Sequence, residues 1–274
     1  MCGVFDCKEN QRKRRSAVMK IRWFGTAAIS YTQDDKTIIF DPFCGRNKKL
    51  GCFSPRELAA QGDIFITHGH FDHLADVPEI LARNTATVYC SQPEAESLIK
   101  FGVAPERIVA VSPGQNLSLG PFSIRVLKGK HIIFDRKLVL QTFLSWRAIR
   151  YFTNFVKMLK VANKFPERQT LVYNIEVDGK RIMHMGSLGL AEDEVYPAAP
   201  DILVLPFQGR SDLDTYALPF VAKIKPRTIY LHHFDDSFPP VSNTIETKKF
   251  IRNVEEAFPR MKFIVPERGS TINI

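Results

Sequence analysis

No apolar run in this 274-residue chain is long enough to span a bilayer, which takes about 18 to 20 consecutive apolar residues. Residues 1–16 hold no apolar stretch ahead of a cleavage site, so a secretory signal peptide is not expected and the expected compartment is the cytoplasm. The five cysteines, Cys2, Cys7, Cys44, Cys52 and Cys90, are an odd set without a CxxC pair. That argues against a disulfide framework and fits reduced thiols. Aromatic-studded basic motifs are lacking too, so the formal charge of +9 is not by itself a sign of nucleic-acid binding. Part of that charge is local: Lys8, Arg12, Lys13, Arg14 and Arg15 fall in a polar leader, residues 1–18, that is expected to be flexible. Residues 19–274 are then read as one domain of the larger kind, since 45% hydrophobic residues can build a sizeable core.

What the chain does have is concentrated between Asp63 and Leu74. Ile64 to Ile66 reads as a buried strand, and Thr67-His68-Gly69-His70-Phe71-Asp72-His73 follows at once. Imidazole and carboxylate donors suit zinc, manganese or iron, and a cluster without cysteine argues for an open, catalytic metal site over a closed structural one. His68 and His70 can project the same way and share one metal, while Asp72 and His73 can face a second beside it.

Around this cluster the chain alternates strands and helices. Lys20–Phe24, Ala27–Thr32 and Lys36–Phe40 read as a meander. It ends at Asp41-Pro42, where the carboxylate could orient a metal-bound imidazole or merely form a turn. Helices are expected over Asp72–Arg83 and Pro93–Phe101, strands over Thr87–Cys90 and Arg107–Val111, and a hairpin over Gln115–Leu119 and Phe122–Leu127. His131 follows the hairpin, and one more nitrogen would complete a three-histidine site with His68 and His70. Leu171–Val177 and Arg181–Met185 form a second hairpin about Asp178-Gly179. Asp201–Leu205, Arg227–Leu231 and Lys262–Val265, the last strand, then alternate with helices over Asp214–Ile224 and Thr244–Phe258. His131, Ser187 and His233 collect just past strand ends, as a site at a sheet edge requires.

One segment breaks the rhythm. Over Phe143–Phe165, Ile149, Phe152, Val156 and Leu159 share one helical face and Arg147, Arg150, Lys157 and Lys164 another. Such a basic amphipathic helix, an insertion at about 143–166, either packs on the domain with a solvated face, caps the site, or lies on an anionic membrane surface.

Thr-His-x-His-x-Asp-His at Thr67 to His73 resembles the signature of the metallo-β-lactamase superfamily. Trp23-Phe24-Gly25-Thr26-Ala27-Ala28, Asp41-Pro42-Phe43 and His233-Phe234-Asp235 look like its cytosolic branch of ascorbate-phosphate lactonase and N-acylphosphatidylethanolamine phospholipase D. The resemblance covers about residues 20–274 apart from the basic helix. It implies an α/β, four-layer αββα sandwich, with His68, His70 and His131 on a first metal and Asp72, His73 and His233 on a second. His232 should point to the opposite face if strand alternation continues. Where the family places an aspartate bridging two metals, the aligned pair here is Gly186-Ser187; a neutral hydroxyl is a poorer ligand, so the second metal is expected to be weak or absent.

The implied activity is hydrolysis of an ester, lactone or phosphodiester with one or two Zn2+ or Mn2+ ions, Asp72 accepting the proton of the attacking water. Lys128, Lys130 and Arg210, near strand ends, could hold an anionic substrate. Two alternatives stay open at this level: a phospholipid hydrolase at a membrane surface, acting on a lipid-like substrate, and a metal-binding protein without catalysis. Nucleic acid is disfavoured as a partner.

Overall fold

In the computed structural model, which describes residues 18–162 and 169–274, strands buried on both faces carry the design. The chain opens with the meander β1 (Lys20–Gly25), β2 (Ala28–Gln33) and β3 (Lys36–Phe40). It continues through α1 (Pro55–Ala59), β4 (Asp63–Phe65), α2 (Phe71–Leu74), α3 (Val77–Leu81), β5 (Val88–Cys90), α4 (Gln92–Lys100) and β6 (Ile108–Ala110). A hairpin of β7 (Asn116–Leu119) and β8 (Phe122–Lys128) leads into three helices, α5 (Arg136–Phe143), α6 (Trp146–Arg150) and α7 (Phe152–Ala162). Next come β9 (Leu171–Val177), β10 (Lys180–Met185), β11 (Ile202–Pro206), α8 (Leu213–Tyr216), α9 (Leu218–Ile224) and β12 (Thr228–His232). The chain ends with α10 (Lys248–Ala257), β13 (Lys262–Ile264) and β14 (Thr271–Asn273).

The strands form two seven-stranded sheets, ordered β14-β1-β2-β3-β4-β5-β6 and β13-β12-β11-β10-β9-β8-β7. Period-two alternation assigns each side chain to a layer. Ile38, Phe40 and Phe65 meet Tyr173, Val204 and Tyr230 between the sheets. Ile39, Ile64 and Val88 turn outward onto Leu58, Leu74 and Leu98, which α1, α2 and α4 supply, and Leu203, Leu205 and Ile229 do the same against Val221 and Phe250 of α9 and α10. The result is the expected four-layer αββα sandwich. Each fully buried aliphatic or Phe side chain contributes about 1.5–3 kcal/mol, so the three apolar layers hold the strand ends where they are.

The structure departs from the sequence expectations in several places. A strand follows the expected last one: β14 returns to the front sheet and pairs antiparallel with β1, Ile272 opposite Ile21. Three residues of mixed polarity carry too little pattern to be legible alone. The expected helix over Asp72–Arg83 is two, with Pro78 opening α3, and that over Asp214–Ile224 is two, with Pro219 opening α9; a proline lacks the N–H that would continue the helix before it. The stretch expected as one basic helix over Phe143–Phe165 holds two, α6 and α7, and α5 precedes it. Asp135 caps α5 through Leu138 N–H at 2.5 Å, and Ser145 caps α6 through Ala148 N–H at 3.2 Å, so a serine resets the helix within the periodic stretch. The basic leader and residues 163–168 lie outside the described residues, as do the side chains of Lys157 and Leu159.

Candidate metal centre

Asp41 terminates β3 in a left-handed conformation (φ 46°) and is fully buried. Its Oδ1 accepts the Thr67 N–H at 2.7 Å, and its Oδ2 accepts the Thr67 hydroxyl at 2.6 Å and lies 2.9 Å from His73 Nδ1. An ionised carboxylate only accepts, so these contacts fix the protons. Thr67 Oγ1 donates to Asp41 and is left to accept from His68 Nδ1 at 3.0 Å, while His73 donates through its own Nδ1. His131 Nδ1 likewise donates to the Ile132 carbonyl at 2.8 Å. In all three rings Nε2 is the lone-pair nitrogen, the tautomer a metal ligand needs.

His70 caps α2, which places Asp72 and His73 in its first turn. His233 reaches the same place by a different device. Tyr230 points between the sheets and Leu231 toward the outer helices, so His232 turns inward again, where its Nε2 meets the Met185 carbonyl at 3.0 Å. A left-handed residue then breaks the alternation: His233 (φ 61°) donates its N–H to Thr26 O, and Thr26 N–H is held by Asp235 at 2.9 Å. Trp23 packs on Phe234 with ring centres 4.8 Å apart. The early Trp-Phe-Gly-Thr turn and the late His-Phe-Asp segment are thus two halves of one clasp that aims His233.

Two donor sets result. His68, His70 and His131 each bring a ligand atom within 4.8 Å of the others, and Asp72, His73 and His233 do the same. The sets adjoin, since the rings of His68 and His73 are 4.0 Å apart. Burial, and then the neighbouring rings of His73, His70, His131 and His233, push the His68 pKa well down; burial chiefly brings His70 to about 4. Both are neutral donors at physiological pH. Burial also acts against a charged His73, but Asp41 and Asp72 outweigh it and raise its pKa. Asp72 is held below the usual carboxylate range: burial opposes ionisation, and His73 and the His233 bond at 3.2 Å overcome it. Neutral His68 and His70 near an ionised Asp72 fit a divalent ion, and His233 Nδ1 is buried without a partner among the described residues.

Ser187 lies beside these sets at the end of β10, 4% exposed, and its Oγ accepts the Ile132 N–H at 3.0 Å. Where a bridging carboxylate is expected, the hydroxyl tethers the loop that carries His131. Gly186 lies so close to the Thr67 side chain that a Cβ would collide with it.

The donors stand at the base of a cavity of about 350 Å³ whose walls are Phe71, Ile132, Phe134, Leu138, Phe155 and Phe238, with Gln208 and Asn243 among the polar groups. Lys128, Lys130 and Arg210, expected beside an anionic substrate, are not among the residues that line it. Lys128 pairs with Asp193 at 2.6 Å, Lys130 with Glu192 at 3.3 Å and Arg210 with Asp212 at 2.6 Å. For Lys128 and Lys130 the carboxylate comes from a loop more than 60 residues away, whereas Asp212 stands two residues from Arg210. Gln208, whose Nε2 is buried without a partner among the described residues, is the polar wall residue that sequence reasoning missed; a lone glutamine after a strand carries no periodic or motif signal.

This fold and these two adjoining donor sets define a metal-binding αββα protein. Residues 20–233 match the Beta-lactamase superfamily domain, and the chain belongs to that superfamily. It is 27% identical over 270 residues to a UPF0173 metal-dependent hydrolase of Cupriavidus taiwanensis, covering 93% of this chain and 86% of that one. It is 25% identical over 262 residues to another of Methanopyrus kandleri, covering 92% and 99%. In fold it is similar to Igni18, a metallo hydrolase from Ignicoccus hospitalis, with a TM-score of 0.67 at 21% identity over 94% of this chain and 99% of that one. These relatives do not bear the names of the lactonase and phospholipase branch, which stays an expectation.

Proposed function

We propose that the chain is a metal-dependent hydrolase that cleaves an ester or lactone bond in a substrate with a largely apolar body. The observation that carries this reading is the pair of adjoining donor sets at the base of an apolar cavity, and the names of the relatives support it. A bound Zn2+ or Mn2+ would supply Lewis acidity and a more acidic water. His68, His70 and His131 would hold one ion and Asp72, His73 and His233 a second, with Asp41 fixing the His73 ring. Asp72, ionised and at the cavity base, accepts a proton from the attacking water. The Gln208 amide offers an N–H to the substrate. Among the described residues no Lys or Arg lines the cavity, so a phosphodiester would have only bound metal to offset its charge, which places it second.

The test is metal analysis of the purified protein together with turnover of short- and medium-chain esters, lactones and an aryl phosphodiester. Ester or lactone turnover that a chelator abolishes and His68→Ala loses is expected; full activity in His68→Ala would sink the reading. Ser187→Asp should raise the metal bound per chain, because it adds a carboxylate where the resemblance places the bridging aspartate. Unchanged stoichiometry would count against a bridging position there.

A further inference from the structure

Seven of the fourteen exposed large apolar side chains among the described residues lie between Ile133 and Phe152. Elsewhere such residues are scattered, as on any surface, so this concentration marks a face that needs cover. Leu144 is 77% exposed, Trp146 73%, Ile149 65% and Phe152 62%. The opposite side of the same helices faces the cavity, through Leu138 and Thr142 of α5 and Phe155 of α7. Phe134, just ahead of α5, is both a cavity wall and half-exposed, and its ring lies 5.3 Å from that of His131. The apolar outer face is therefore continuous with the mouth of the metal-bearing cavity.

The charge around that face has one sign. From Arg136 to Ala162 the sequence contains six Lys and Arg and no Asp or Glu. Arg147 is committed to Asp236 at 2.8 Å, but the exposed Lys137, Arg150 and Lys160 carry no carboxylate partner among the described residues. Exposed aliphatic residues, a tryptophan and unopposed cations on short helices suit the interface of an anionic bilayer, where apolar side chains enter the acyl boundary and cations meet phosphate. We infer that the outer face of α5, α6 and α7 docks on an anionic membrane surface and turns the cavity mouth toward it. A corollary, which rests on the hydrolase reading, is that the substrate is an amphiphile that enters from the bilayer.

Trp146 reports on this directly, because the only other tryptophan, Trp23, is buried. The full chain is titrated with vesicles of phosphatidylcholine alone and with about one-third phosphatidylglycerol added, reading tryptophan emission and co-sedimentation. A blue shift and binding to the anionic vesicles are expected, with affinity about tenfold weaker for phosphatidylcholine alone. Leu144→Ser with Ile149→Ser should weaken binding about tenfold or more, and Lys137→Glu with Arg150→Glu should both weaken it and flatten its salt dependence. These positions are exposed, so melting temperatures should hold and keep the comparison clean.

An unshifted Trp146 spectrum overturns the inference. So does binding that survives both double variants but is lost when Lys8 and Arg12 to Arg15 are replaced by glutamine, since the leader would then be the contact. A concentration-dependent dimer dissolved by Leu144→Ser with Ile149→Ser, without vesicle binding, would assign the face to a second copy of the chain. Vesicle binding is read without turnover, so its failure leaves the hydrolase reading standing, and inactivity on soluble esters leaves the docking face standing.

Discussion

At the strand-end rim, Asp41, Thr67, His68 and His73 are at most 2% exposed and are joined by bonds that fix each proton. In the helical cover a few residues away across the cavity, Leu144, Trp146 and Ile149 are each more than 60% exposed, and Phe155 anchors the segment by packing with Phe43, Phe71 and Phe238. Metal ligands must be held to within tenths of an ångström, which demands buried and fully bonded supports. A wall that selects and admits substrate can be built of short helices held at a few points. Chemistry and access are therefore separately mutable here.

The largest effect expected is at the rim: His68→Ala should cut ester or lactone turnover by roughly a thousandfold or more, with secondary structure by circular dichroism unchanged. Asp41→Asn comes next. It keeps the shape but loses the anion that receives Thr67 and His73, so metal affinity by competition titration should fall about 10–100-fold; an unaltered affinity would break the account of the rim.

Phe155→Ala sharpens the contrast from the other side. It should cost about 1–2 kcal/mol in thermal or urea unfolding for a partly buried ring and change KM for apolar esters, while metal affinity stays as it was. If metal affinity fell too, rim and cover would not be separable.

The smallest effect concerns the Asp135 cap. Backbone bonds from Leu138 and Ser211 hold its carboxyl down to about 2. A folded pKa below the unfolded one, about 3.9, contributes stability that is present above pH 4 and is lost as pH falls through about 4 toward 2. Asp135→Asn should lower the melting temperature by the equivalent of about 1 kcal/mol or less at neutral pH, and the gap to wild type should close over that acid range. A gap independent of pH would remove the ionised cap from the account.

Much of the rim could be read from residue order. A β-rich run followed by closely spaced histidines and an aspartate is a local pattern, and Asp41 was visible because a proline stops its strand. Thr67 was visible only as part of a signature; its role as the hydrogen-bonded link between Asp41 and His68 depends on contacts across 26 residues. The ion pairs of Lys128 and Lys130 escaped the same reading, because their position near strand ends says nothing of which loop carries the opposing charge.

By itself the sequence determined the alternating layers, the family-type donor pattern and the basic, acid-free stretch, since each depends on neighbours within a few positions along the chain. Only the tertiary structure showed how His233 rather than His232 comes to face the donors, because that turned on one left-handed residue held by Thr26 from the far end of the chain. It alone decided that β14 closes the front sheet, that Ser187 tethers the His131 loop, and that the periodic basic stretch breaks into α6, capped by Ser145, and α7, with an apolar face turned outward. These depend on pairings between segments distant in sequence, whose energies are set by burial and bond geometry rather than by any local pattern.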